Sequence, residues 1–200
     1  MKEQPPQRIK RTGIKELSRI TIQPLMPEHW GALEDLFGEK GACNGCWCMY
    51  WRIGGIYTRR SRELNRKDFQ KIIRTGPPPG LLAFDGDLAV GWCQITPRTG
   101  LPYLEKLVKE RSSAQRSVWS ISCFYIRNHY RRMGITGLLI EEALKYSERN
   151  GADLVEAYPV DPLTSRSMSF TGYKTTFERA GFRLTSEKIF TRSVMRSELK

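Results

Sequence analysis

Residues 118–149 read VWSISCFYIRNHYRRMGITGLLIEEALKYSER, and a strand, a turn and a helix follow one another along them with no spare residues between. Val118 to Ile126 is a continuous run of strand formers, as expected of a strand buried on both faces near the centre of a sheet. From Ile135 the apolar residues Leu138, Leu139, Ala143 and Tyr146 recur at offsets of three, four, eight and eleven. That spacing buries one face of a helix and leaves Glu141, Glu142, Lys145 and Glu148 on the other. Between strand and helix lies the basic turn Arg131-Arg132-Met133-Gly134-Ile135-Thr136-Gly137. Amides of a first helical turn have no intrahelical acceptor, and the helix dipole adds partial positive charge, so this turn suits a pyrophosphate. Gly134 and Gly137 let the main chain approach such an anion closely, while Arg131 and Arg132 add charge-assisted hydrogen bonds. The plain alternative is a basic loop that enters a helix and binds nothing.

Outward from this centre the pattern alternates strands and helices. Leu81 to Phe84 and Leu88 to Ile95 form two strands joined by Asp85-Gly86-Asp87, a hairpin turn that needs the positive φ glycine tolerates. Upstream, Arg19 to Leu25 reads as a half-buried strand, and Pro27 opens a helix to about Phe37. Asn65 is placed to cap a basic helix to about Arg74, which the run Pro77-Pro78-Pro79-Gly80 ends. A short helical pattern at Tyr103 to Lys109 precedes the central strand. Downstream come a strand at Leu154 to Tyr158, a helix from about Thr171 to Ala180 closed by Gly181, and strands near Phe182 and at Ile189 to Met195. The segment Gly38 to Gly55 holds five glycines with Cys43, Cys46, Cys48, Trp47 and Trp51, and has no regular periodicity.

Two hundred residues without a dividing linker read as one domain at 19–200, behind a basic, proline-interrupted tail at 1–18 that buries too little apolar surface to order itself. No stretch approaches the roughly 18 apolar residues of a membrane span, and no signal-peptide core is present, so a soluble protein with no membrane partner is expected. Five cysteines, an odd number, fit a reducing compartment, and the cytoplasm is the expected location. The net charge of +12 attracts polyanions without saying which. The clusters Arg59-Arg60-Ser61-Arg62 and Arg66-Lys67 have no nucleic-acid motif beside them and read as solvated faces, so no nucleic-acid partner is expected.

The turn Arg131 to Thr136 resembles the acetyl-CoA signature of the GNAT acetyltransferases, Gln/Arg-x-x-Gly-x-Gly/Ala, with Thr136 departing at the last position. Phe177-Glu178-Arg179-Ala180-Gly181-Phe182 is similar to the Tyr-x-x-x-Gly-Phe ending of a later helix in that family, with Phe177 where the family has tyrosine. The order of elements over about residues 19–196 fits as well. The resemblance implies an α+β, three-layer GNAT fold, with a mixed, mostly antiparallel central sheet flanked by helices. It implies acetyl-CoA as cofactor, bound by Arg131, Arg132, Met133, Gly134, Ile135, Thr136 and Gly137. It further implies that the central strand splays from its neighbour, so that the backbone at Phe124, Tyr125 and Ile126 pairs with the pantetheine arm and offers an oxyanion an amide. The reaction implied is direct transfer of an acetyl group to a primary amine, on a small molecule or on a protein. A silent acyl-CoA-binding or sensor domain and a basic interaction module are the alternatives.

Such a transfer needs a base and a proton donor. Phe177 has no hydroxyl, so Tyr173, one helical turn earlier, and Tyr158 stand equal as candidate acids, with Cys123 also within range of the cofactor. Glu156 alternates with Val155 and Ala157 and shares a face with Tyr158, which makes it the candidate base; an ion pair with one of the many arginines is its structural alternative. Cys43-x-x-Cys46-x-Cys48 is one ligand short of a structural zinc site, so no metal is assigned and a packed Cys/Trp/Met/Tyr cluster is preferred. The family architecture implies that this loop borders the acceptor pocket.

Overall fold

The computed structural model describes residues 17–108, 116–161 and 166–199. The expected tail, except for its last two residues, and the end of the helical pattern at Lys109 lie outside them. A seven-stranded sheet organises the chain: β1 (Ile20–Pro24), β2 (Gly80–Asp85), β3 (Leu88–Pro97), β4 (Val118–Ile126), β5 (Leu154–Ala157), β6 (Arg183–Ile189) and β7 (Arg192–Glu198). Their spatial order is β1-β2-β3-β4-β5-β7-β6. Only β4 and β5 run parallel; every other pair is antiparallel. The helices are α1 (Trp30–Phe37), α2 (Tyr50–Ile53), α3 (Arg62–Thr75), α4 (Pro102–Leu107), α5 (Ile135–Arg149) and α6 (Lys174–Arg179).

The period of two in the strands divides the core into two layers. Leu81 and Ala83 of β2 pack with Ile135, Leu139, Ile140, Ala143 and Tyr146 of α5 on one face. Leu82 and Phe84 pack on the other face with Leu33, Leu36 and Phe37 of α1 and Phe69 and Ile73 of α3. Each large apolar side chain so buried contributes about 1.5–3 kcal/mol, which is what holds the helices on the sheet. The helix reading at Ile135 is right in kind, with Ile140 filling the buried stripe while Leu138 is only half-buried.

At α3 the cap differs from the sequence reading. Ser61 is the N-cap, its Oγ accepting from the Leu64 amide at 3.2 Å. Asn65 sits inside the helix at 1% exposure, and its Nδ2 donates to the carbonyls of Gly45 at 2.9 Å and Tyr57 at 3.0 Å. The residue read as a cap is instead the tie that holds the cysteine-rich loop on α3.

Candidate active site

Two local events open a cleft in the sheet. The first is in β4, where Gln94 pairs with Cys123 but Ile95 pairs with Ile121, leaving Ser122 as the extra residue of a bulge. The bulge is fixed from both sides: the Ser122 carbonyl accepts from Trp51 Nε1 at 2.8 Å, and its Oγ donates to Gln94 Oε1 at 2.9 Å. The second is the early end of the parallel pairing, which runs from Val118 with Leu154 to Ile121 with Ala157 and no further. Beyond it β4 continues to Ile126, paired only with β3, so one edge of Phe124, Tyr125 and Ile126 carries no strand partner among the described residues. These three residues line a cleft of about 770 Å³.

The opposite wall comes from the chain after β5. Val160 forms a bridge to Tyr173, with the Val160 amide donating to Gly172 at 3.0 Å and the Lys174 amide to Val160 at 3.1 Å. Gly172 takes φ 83, and a Cβ there would meet Phe177 at 2.9 Å, so the chain passes tightly over that ring. This presents Tyr173, Phe170 and Thr176 to the cleft.

One end of the cleft is the turn before α5. Hydrogen bonding stops at the Arg131 amide, which donates to Asn128 at 3.2 Å, and resumes at the Gly137 amide, which donates to Gly134 at 2.9 Å. The five amides between, of Arg132, Met133, Gly134, Ile135 and Thr136, have no acceptor among the described residues. Arg132 at φ 64 and Gly134 at φ 92 give the turn its left-handed bends. Successive N–H groups in such alternating conformations form an anion-binding concavity, reinforced here by the α5 dipole. Arg132 and Arg179 also line the cleft and have no carboxylate partner among the described residues, whereas Arg131 Nε donates to the Ile126 carbonyl at 3.0 Å. All the cofactor residues read from the sequence line this cleft except Met133, whose side chain lines a smaller adjoining cavity of about 250 Å³ with Tyr130 and His129.

The candidate acid and base separate. Glu156 is 1% exposed and both its oxygens are engaged: Oε2 accepts from Arg98 at 2.7 Å and from the Tyr158 hydroxyl at 2.9 Å, and Oε1 from Arg196 Nε at 2.9 Å. Tyr158 is wholly buried and also bonds Ser120 Oγ at 2.9 Å. Burial and the neighbouring Glu156 charge push its hydroxyl well above the usual range. Neither residue lines the cleft, so the strand alternation is right about their common face and wrong about what that face meets; the ion pair is the arrangement present. Tyr173 does line it. Phe177 is fully buried against Phe124 and Phe182 and takes no part in the cleft surface. Cys123 is buried, and a hydrogen bond with Cys48 together with burial raises its thiol well above the usual value.

The cysteine-rich loop reaches the cleft through Cys43. Trp47, Met49 and Trp51 are core residues at 4%, 4% and 1% exposure, as a packed cluster requires. Tyr50 remains half-buried and packs edge-on against Phe170 with ring centroids 6.0 Å apart. Among the described residues no three His, Cys, Asp or Glu side chains converge as a metal site requires.

The sequence profile described as the acetyltransferase (GNAT) family matches residues 46–171. The fold resembles that of a GCN5-related N-acetyltransferase from Kribbella flavida, with a TM-score of 0.57, 16% identity and 92% and 99% of the two chains covered. It also resembles yncA from Salmonella typhimurium, solved with its cofactor acetyl-CoA, at TM-score 0.55, 12% identity and coverage of 91% and 95%. A third likeness is to the NatC complex bound to Gag peptide and CoA, at TM-score 0.54, 13% identity and coverage of 91% and 99%. No curated protein matches the chain.

Proposed function

The chain belongs to the GNAT acetyltransferase family, and from that premise we propose that it is an acetyl-CoA-dependent N-acetyltransferase that acetylates a primary amine in a ternary complex. One observation carries this reading: a turn with five consecutive amides that have no acceptor among the described residues forms, through Arg132, Gly134, Ile135 and Thr136, one end of a cleft that continues along the free edge of β4 to Tyr173. Acetyl-CoA, when bound, supplies an acetyl thioester and a thiol leaving group. The amides of Arg132 to Thr136 hold its diphosphate, helped by Arg132 and Arg179, and the backbone of Phe124 to Ile126 orients its pantetheine arm.

Tyr173 is the general acid in this reading, because its side chain lines the cleft while Tyr158 is committed to Glu156 and Ser120. Glu156 has a structural part in this reading: it joins Arg98 and Arg196 and so ties β5 to β7. The acceptor enters from the side of Cys43 and Phe170, as an amine on a small molecule or on a protein. Residues 19–200 are taken as one transferase domain. All five cysteines are free thiols, which suits the cytoplasm.

The test is release of the coenzyme A thiol from acetyl-CoA in the presence of a panel of amines, small molecules and peptide N-termini together. Amine-dependent release supports the transferase. Binding of acetyl-CoA with no release by any amine overturns catalysis in favour of a silent acyl-CoA-binding domain.

A further inference from the structure

Cys43-Asn44-Gly45-Cys46 forms a reverse turn at the rim of the cleft. The Cys46 amide donates to the Cys43 carbonyl at 3.1 Å, and Asn44 and Gly45 take φ of 51 and 68. Two central residues with positive φ define the tight turn favoured by Asn-Gly, in which the first and fourth Cα atoms lie within about 7 Å. A disulfide spans Cα atoms about 4.4–6.8 Å apart, a range that such turns overlap. The two thiols differ in access: Cys43 is exposed and lines the cleft, and Cys46 is buried at 8% exposure. An accessible thiol followed three residues later by a sheltered one is the arrangement used in thiol–disulfide exchange, where the first attacks and the second resolves.

The surroundings hold this turn firmly. Asn65 bonds the Gly45 carbonyl at 2.9 Å, and a Cβ on Gly45 would meet the Arg62 side chain at 2.3 Å. The neighbouring Cys48 is buried, and its sulfur accepts from Trp92 Nε1 at 3.1 Å. Cys43 and Cys46 flank one tight turn, and the anion-binding turn before α5 lines the same cleft as Cys43.

We infer that Cys43 and Cys46 are a reversible dithiol that reduces coenzyme A disulfide, whose diphosphate is held by the amides of Arg132 to Thr136. The choice of disulfide rests on the acetyl-CoA reading above. The Cys43 thiolate attacks one sulfur of the disulfide, forming a Cys43–S–S–CoA bond and expelling one coenzyme A thiol, which takes up the Cys43 proton. Cys46 then attacks the Cys43 sulfur, the mixed disulfide breaks, and the second coenzyme A leaves as a thiol with the Cys46 proton. Two protein thiols are oxidised and one disulfide is reduced, with no other oxidant. Burial and the neighbouring Cys48 raise the Cys43 thiol while Arg131 opposes them, so the exchange accelerates as pH rises. The pair reads the thiol–disulfide state of the same coenzyme pool on which the transferase draws.

The test uses the reduced full chain, incubated with coenzyme A disulfide or with oxidised glutathione at equal concentration, and followed by intact mass and peptide mapping. The expected result is loss of two hydrogens, mapped to a Cys43–Cys46 disulfide, at least about tenfold faster with coenzyme A disulfide. Cys43→Ser leaves the chain unreacted, and Cys46→Ser stops at a mixed disulfide on Cys43. An unreactive wild type, a disulfide mapped to other cysteines, equal reaction in Cys43→Ser, or equal rates with both disulfides overturns the inference. Thermal stabilisation by acetyl-CoA, measured on the same samples, separates the two readings: a chain that is stabilised but unreactive loses only the dithiol, whereas one that is not stabilised loses the transferase reading as well.

Discussion

Both oxygens of Glu156 are spoken for, and its partners Arg98 and Arg196 stand 58 and 40 residues away in sequence. Removing one member of such a buried pair leaves a charge without compensation, which costs about 3–5 kcal/mol. Glu156→Gln is therefore expected to lower the melting temperature by several degrees while the folded fraction keeps its turnover within a few-fold. Tyr173→Phe should do the reverse, lowering turnover by about a hundredfold with little change in melting temperature or acetyl-CoA affinity. Thermal melts paired with initial rates check the contrast, and a large rate loss with unchanged melting in Glu156→Gln restores the base assignment. A second residue-scale consequence concerns Cys46, whose thiol is pushed up from 9.0 to about 12, first by burial and then by Cys48. Below pH 9.0 both folded and unfolded chains keep this proton, so its contribution is constant. Between 9.0 and about 12 the unfolded chain releases the proton and the folded chain retains it, so stability falls as pH rises. Urea midpoints measured from pH 8 upward should decline more gently in Cys46→Ala than in the wild type; parallel declines would remove Cys46 from the account.

The turn before α5 separates two glycines that look equivalent in sequence. Gly134 is at φ 92, where an L residue is strained, although a Cβ there would come no closer than 3.4 Å to Leu17. Gly137 lies within α5 at an ordinary helical φ, and a Cβ there would meet nothing within 4 Å. Gly134→Ala should bend the backbone away from its left-handed conformation, at a cost of about 1–2 kcal/mol, and displace the amides on either side. The acetyl-CoA dissociation constant is then expected to rise about tenfold, while Gly137→Ala should stabilise the helix by about 0.5–1 kcal/mol with affinity retained. Calorimetric titration of both variants checks this, and equal affinities would show that the amides do not hold the cofactor. Elements of this kind were legible because their signals are local: the Asp85-Gly86-Asp87 hairpin, the β4 run and the α5 stripe each declare themselves within a few residues. The loop at 41–48 was not, because Ala42, Asn44, Trp47 and Cys48 all adopt positive φ, which only distant contacts such as Asn65 with Gly45 can stabilise. The partners of Glu156 were not legible for a related reason: alternation gives the face of a strand residue and is silent about which arginine the topology brings to it.

For the whole molecule, the question is whether a chain of net charge +12 binds a polyanionic cofactor by its general field or by one built site. A diffuse field is screened over about 10 Å at 0.1 M salt and about 3 Å at 1 M, so binding that depends on it collapses across that range. Amides fixed in a turn at a helix N-terminus act at contact distance and, being partly sheltered, are screened much less. At a hundred times its dissociation constant a ligand stabilises the fold by about 2.7 kcal/mol, which for a chain of this size is roughly 5–10 °C in melting temperature. With acetyl-CoA, more than half of that shift should survive in 1 M salt, because the five amides and the helix dipole carry the interaction while Arg132, Arg179 and the net charge add to it. Inorganic tripolyphosphate, which matches the charge but makes no use of the β4 edge, should stabilise the protein in low salt and lose that effect in high salt. If the two ligands fade together, attraction by the basic surface is sufficient to explain binding and the turn has no special part in it; if acetyl-CoA alone persists, the geometry before α5 decides what this molecule binds.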